Sequence, residues 1–204
     1  MDEQAGANAR DQHTRQESLT EEELRALHVN GLAPLTQPIE IAEYDPAWPT
    51  LFAREVARIR AALEGRVLGL EHVGSTSVPG LAAKPRIDML LVVADTADEA
   101  AYVPALEAAG YALHIRELEW YEHRLFKGPD TDINLHVFSD GCEEIDRMVR
   151  FRDWLRAHPD DQQLYERTKR ELAQRHWTYL QNYADAKIGV IAAIMQRAEG
   201  HSRQ

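Results

Sequence analysis

This 204-residue chain has one cysteine, no long apolar run and fewer positive than negative charges, and each shortage closes off a class of function. The lone thiol, Cys142, forms no internal disulfide and has no second cysteine with which to build a thiolate metal site. Redox chemistry is therefore set aside and a reducing compartment is expected. No stretch approaches the ~18 consecutive apolar residues of a membrane span. The opening MDEQAGANARDQHTRQE has neither the basic nor the apolar region of a secretory signal. The expectation is a cytoplasmic protein with no membrane partner. With 23 basic against 34 acidic residues the net charge is −11, which opposes broad, non-specific nucleic-acid binding. A small phosphate-bearing ligand stays open, because it needs only a few cations that converge locally.

Hydrophobic residues make up 44% of the chain, enough for one domain with a buried core. Residues 1 to 36 are polar and uneven and read as a mobile extension, with one short helix signal in SLTEEELRAL that Thr20 caps. The domain then runs over residues 37 to 200. IEIAEY reads as a strand, Trp48 to Leu63 as an amphipathic helix, and RVLGLEHVG and RIDMLLVVAD as further strands. DEAAYVPALEAAG reads as a helix stopped by Gly110. YALHIR, EWYEHRLFK and DINLHVF complete the sheet, and helices follow over 143 to 157, 159 to about 179 and about 182 to 198. Mixed elements first and helices alone last predict an α+β fold with a helical C-terminal cap.

HVGSTSVPGLAAKPRID, residues 72 to 88, holds the most informative chemistry. It is not a phosphate loop, because five residues separate Gly74 from Gly80 and Leu81 follows. Neither the dinucleotide fingerprint nor the serine-hydrolase elbow is present. What remains is a strand and then a Gly-Ser turn in which backbone N–H groups and the hydroxyls of Ser75, Thr76 and Ser77 suit phosphate oxygens. The plainer alternative is that Ser75 or Ser77 only caps a helix. Asp88 stands inside the next strand, where alternation sets Arg86, Asp88 and Leu90 opposite Ile87, Met89 and Leu91. The same alternation sets Asp132, Asn134 and His136 opposite Ile133, Leu135 and Val137. Two neighbouring strands would share one polar face, and with the Gly-Ser turn at its edge a phosphate-and-metal site has its parts in one place.

Cations interrupt the apolar stripes of the C-terminal helices. Lys187 lies among Tyr183, Val190, Ile191 and Ile194, Lys169 among Tyr165, Leu172 and Ala173, and Arg152 among Ile145, Met148 and Val149. Each alone reads as a snorkelling side chain or an ion pair, to Asp153 or Glu166 for example. Three in succession are read as converging with Lys84, Arg124 and Lys127 on a phosphate-bearing ligand. His72, His123 and His136 raise zinc, but they lack the close spacing of a catalytic zinc site.

HVGSTSVPGLAAKPRID, HRLFK, NLHVF, FRDWLRAHPDD, LYERTKRELA and YADAKIGVI, in this order, resemble the GrpB family of the nucleotidyltransferase-like superfamily over about residues 38 to 198. The resemblance implies a nucleotidyltransferase-like twisted mixed sheet flanked by helices. Gly74 and Ser75 would match the superfamily turn, and Asp88 an acidic position that holds Mg²⁺ for nucleotidyl transfer. His136, or Asp132, would fill the slot of a further carboxylate, so Asp88 and His136 are the expected catalytic and metal-binding pair. GrpB-like domains also occur fused to dephospho-CoA kinase. The chain departs from active transferases in that Arg86 and Leu90, not a second carboxylate, share the face of Asp88. The expected function is binding of a nucleotide or related phosphate compound, with Mg²⁺-dependent nucleotidyl transfer as its fullest form. A non-catalytic folding-helper or interaction domain competes with it, and a zinc-dependent hydrolase is the third reading.

Overall fold

The computed structural model describes residues 18–201; the Gln/Asp/Arg-rich start of the extension lies outside the described residues. Helix α1 (Glu21–Leu27) begins at Thr20, whose hydroxyl accepts from the Glu23 N–H while the Glu23 carboxylate accepts from the Thr20 N–H. Helix α2 (Trp48–Leu63) has the ends its periodicity predicts and buries Trp48, Ile59 and Leu63. Strands β1 (Gly69–Val73) and β2 (Ile87–Val93) follow, then a 3₁₀ turn at Glu99–Ala101, helix α3 (Val103–Ala108), and strands β3 (Ala112–Glu117), β4 (His123–Lys127) and β5 (Ile133–Ser139). Helices α4 (Glu143–Ala157), α5 (Pro159–Ala173), α6 (Leu180–Asp185) and α7 (Ile188–His201) close the chain.

The five strands form one mixed sheet in the order β1-β2-β5-β4-β3. β2 runs parallel to β5, and the other pairings are antiparallel. The expected α+β arrangement, a mixed sheet flanked by helices with a helical C-terminal cap, is what the chain forms. Ile87, Met89, Leu91, Ile133, Leu135, Val137 and Phe126 bury one face against α2 and α3. The opposite face carries Asp88, Asn134 and His136, as alternation requires, with Leu90 and Phe138 packed against Ile145, Met148 and Val149 of α4.

Four expected elements differ. IEIAEY forms no strand, only an isolated bridge between Ala42 and Ala83. The next bonded positions beside Ala83 are Leu81, whose N–H already goes to Val78 O, and Pro85, which has no N–H, so no ladder can extend. The helix over 98 to 110 divides because Pro104 cannot donate within a helix but suits its first turn. α5 stops at Ala173, where the Trp177 indole N–H donates to Leu172 O. The final helix is two, α6 and α7, with Lys187 at the junction between them.

Residues 18–36, expected as a mobile extension, lie against the sheet domain. Leu24 is buried, Val29 N–H donates to His114 O, and Leu35 N–H donates to Thr178 O. This strap spans from the β3 edge to the loop before α6.

Candidate functional site

Between the polar sheet face, the strap and helices α4 to α6 lies a cavity of about 600 Å³, a size that suits a nucleotide-sized ligand. Its floor is built from β2, β5 and β4. Asp88 and Asn134 are opposite one another in the parallel ladder, and the Asn134 side-chain amide donates to Asp88 Oδ1 at 2.8 Å. Lys127 Nζ donates to Asn134 Oδ1 at 2.5 Å. His136 stands with Nε2 4.0 Å from Asp88 Oδ1. Burial acts to raise the Asp88 carboxyl, but His136, Asn134 and the nearby Lys84 charge outweigh it and hold the group at about 2.

The turn after β1 closes directly over this carboxylate. Gly74 has φ +67°, and a Cβ there would lie 2.4 Å from Asp88 Oδ2. Only glycine fits, for both reasons. Ser75 and Thr76 line the cavity. Thr76 Oγ1 is engaged with His72 Nε2 at 3.1 Å. Ser77 is not brought into the site: its hydroxyl donates to Gly74 O at 2.6 Å and its carbonyl accepts from Arg156, so it staples the turn to α4.

The cations sort by type. Only four of the 23 basic residues are lysines, and all four, Lys84, Lys127, Lys169 and Lys187, line this one cavity. Among the described residues none of them lies within ion-pair distance of a carboxylate, whereas arginine and histidine make every pair. Lys169, from α5, donates to Ala82 O and lies 4.9 Å from the Tyr165 ring centroid. Lys187, from the α6–α7 junction, sits 4.9 Å from that of Tyr183. Burial, then repulsion from Arg86, pushes Lys84 down to about 7 and Lys127 down to about 8. Burial, then repulsion from Lys187, brings Lys169 to about 7. Such ammonium groups, desolvated and crowded with like charge, are relieved by an anion.

The two arginines expected here go elsewhere. Arg124 points to the other sheet face, where its Nε donates to Glu99 Oε1 at 2.6 Å. Arg152 donates to Glu71 Oε2 at 2.7 Å, to His72 O at 3.0 Å and to Asp153 Oδ1 at 2.8 Å, binding α4 to β1. Both are held in structural ion pairs.

Two contributors escape a reading by alternation. A bulge between Leu113 and Ile115 shifts β3 by one residue against β4. Strict alternation from the core residue Leu113 would send Ile115 and Glu117 to the core face; the bulge turns both into the cavity. There Glu117 Oε2 meets His123 Nδ1 at 2.6 Å, and His123 Nε2 meets His136 Nδ1 at 3.1 Å. The strap supplies the apolar wall, with Leu24, Leu27 and Leu32. The concentration of lysine at four positions in an arginine-rich chain was the available sequence signal for the site.

The metal expectations meet this donor set. Among the described residues no group of three or more His, Cys, Asp or Glu is placed to hold a metal. Asp88 offers one carboxylate in a cavity that four lysines share. A resident Mg²⁺ on Asp88 and His136 does not fit, since the lysines oppose a dication, and the histidines provide no zinc-binding trio. No helix among the described residues is long and apolar enough to cross a membrane.

The chain is similar to known proteins, to some in sequence and to one solved structure also in fold. A UPF0157 protein of Halalkalibacterium halodurans is 61% identical over 179 residues, covering 88% of this chain and 92% of that protein. A UPF0157 protein of Streptomyces coelicolor is 44% identical over 165 residues, covering 81% and 87%. The crystal structure of the conserved protein GrpB from Enterococcus faecalis superposes with a TM-score of 0.71 at 33% identity, covering 81% of this chain and 100% of that one. The GrpB protein family model matches residues 38–197, and the chain belongs to the GrpB family.

Proposed function

We propose that the cavity binds a small phosphate-bearing molecule, a nucleotide or related compound, and that lysines rather than a resident metal neutralise its charge. The observation that carries this reading is the gathering of every lysine of the chain around Asp88, with no carboxylate ion pair to any of them among the described residues. Lysine is a compact point charge suited to phosphate, and Ser75 lines the same cavity. Asp88 has an organising part: through Asn134 it holds Lys127 in place. The strap leucines would cover the ligand's less polar portion.

The test is a thermal-shift panel of nucleoside triphosphates, inorganic pyrophosphate and coenzyme A precursors, with and without Mg²⁺. Ligand at a hundred times its dissociation constant adds ~2.7 kcal/mol of stability, or roughly 5 to 11 °C for a domain this size. The expected shift does not require Mg²⁺. Absence of a shift with every phosphate compound removes the reading, and a shift that appears only with Mg²⁺ and vanishes in Asp88→Ala restores the metal.

A non-catalytic binding domain is favoured by one observation. Leu90 shares the Asp88 face of β2, where a second carboxylate would be needed for two-metal transfer.

A further inference from the structure

Four side chains cross the sheet in a row that phosphate binding alone leaves without a task. Glu117, His123, His136 and Asp88 come from β3, β4, β5 and β2, which are consecutive in the sheet. The links are 2.6 Å from Glu117 Oε2 to His123 Nδ1, 3.1 Å from His123 Nε2 to His136 Nδ1, and 4.0 Å from His136 Nε2 to Asp88 Oδ1. Glu117 and His123 are 6% and 3% exposed, whereas the His136 and Asp88 side chains are 22% and 29% exposed. All four line the cavity, and the row therefore runs from its more enclosed to its more open part. Phe138 stacks on the His123 ring at 4.7 Å and Trp120 meets it edge-on at 5.3 Å, which fixes its plane.

Hydrogen-bond direction follows from the chemistry. An ionised carboxylate only accepts, so His123 carries its proton on Nδ1. A neutral His123 then accepts at Nε2, and His136 must donate from Nδ1. In this tautomer His136 Nε2 bears a lone pair that faces Asp88 across a 4.0 Å gap able to take a hydroxyl between them, whereas the ring protonated there presents Nε2–H to Asp88 and favours its ionised form.

We propose that this row is a general-base relay, which makes the cavity a site of phosphorus chemistry as well as of binding. The proposal rests on the phosphate reading. A water or alcohol hydroxyl loses its proton to His136 Nε2, and its oxygen pair forms the new bond to phosphorus. The bond from phosphorus to the leaving phosphate oxygen breaks with its electron pair, and the lysines hold the departing oxyanion. His136 is the catalytic residue. His123 and Glu117 are positioning residues that set its tautomer and stabilise the imidazolium, as the carboxylate does behind the histidine of a Ser-His-Asp triad.

Two measurements on the full chain test this. The first uses ATP as probe and follows release of phosphate or pyrophosphate. His136→Gln is expected to lower kcat by roughly 10² to 10⁴-fold with KM and the ATP-induced thermal shift unchanged. Glu117→Gln should lower kcat alone, by about tenfold, and added imidazole should restore turnover in His136→Gly. The second needs no ligand or variant: ¹⁵N spectra should show a coupling between the two ring nitrogens across the His123–His136 hydrogen bond. Bound ATP without turnover, turnover indifferent to both variants, or rings that carry their protons on the outer nitrogens would each overturn the relay. If ATP binds to neither wild type nor variants, the phosphate reading itself fails and takes the reaction with it.

Discussion

Binding of sulfate, a phosphate mimic with no proton of its own to exchange in this range, is expected at pH 8 to draw roughly two protons from solution per ligand bound, and at pH 6 almost none. The cause is the state of the lysines. Without ligand, burial and mutual repulsion bring Lys84 and Lys169 to about 7 and Lys127 to about 8, so at pH 8 the first two are mostly neutral and the third is half charged. An anion placed within about 4 to 6 Å favours the charged form by one to three pH units, which restores all three ammonium groups. At pH 6 they are already protonated. Calorimetry in buffers of different ionisation enthalpy reads the proton number as a slope, and a zero slope at pH 8 defeats the expectation.

The same groups set the direction of stability without ligand. Their pKa values in the fold lie below the unfolded value of 10.5, so between about 7 and 10.5 the unfolded chain binds more protons than the folded one. Their contribution to stability therefore rises with pH across that window, and below about 7 their full penalty is present. Lys84→Met should raise the stability of the free protein at pH 6 while weakening pyrophosphate binding. Loss of one charge-assisted hydrogen bond, about 1.5 to 3 kcal/mol, corresponds to roughly 10- to 100-fold in affinity. Denaturant melts and titrations on the same preparations separate the two effects, and a variant that binds as tightly as wild type would place Lys84 outside the ligand contact.

Gly74→Ala is the substitution expected to damage the fold most for its size. The left-handed backbone at φ +67° costs an alanine about 1 to 2 kcal/mol. Its Cβ would also stand 2.4 Å from Asp88 Oδ2 and 2.8 Å from Asp88 Cβ, a steric conflict that adds about 1 to 3 kcal/mol. The melting temperature should fall by roughly 5 to 15 °C. Asp88→Ala removes the nearer oxygen and leaves the Cβ, so part of the Gly74→Ala penalty should disappear in the double variant, a coupling of about 1 kcal/mol. Strict additivity would mean that the turn and the carboxylate do not press on one another.

The polar face of the sheet was legible because strand side chains alternate. Asp88 and His136 fall opposite runs of isoleucine, leucine and valine, and no other strand register buries those runs. Lys169 and Lys187 were legible as cations on apolar stripes and Lys84 by its place beside the Gly-Ser turn, while Lys127, at the end of β4, was only grouped with them. Arg152 gave the same stripe signal and Arg124 was grouped with these cations, yet both went to other places, because such a signal reports burial without naming the partner. Glu99 and Glu71 are remote from them in sequence, and the guanidinium fork binds a carboxylate wherever the fold presents one. The strap was not legible, since its polar composition hides the few leucines that cover the cavity.

By itself, then, the sequence determined five strands of the sheet and its polar and apolar faces, the Gly-Ser turn after β1 and the GrpB membership, since these follow from local periodicity and contiguous motifs. Only the tertiary structure decided which cations share a cavity and which are spent in ion pairs. It also decided that Glu117 joins His123 and His136. That step depends on a one-residue bulge in β3, and a shift of one residue moves a strand side chain from one face of the sheet to the other.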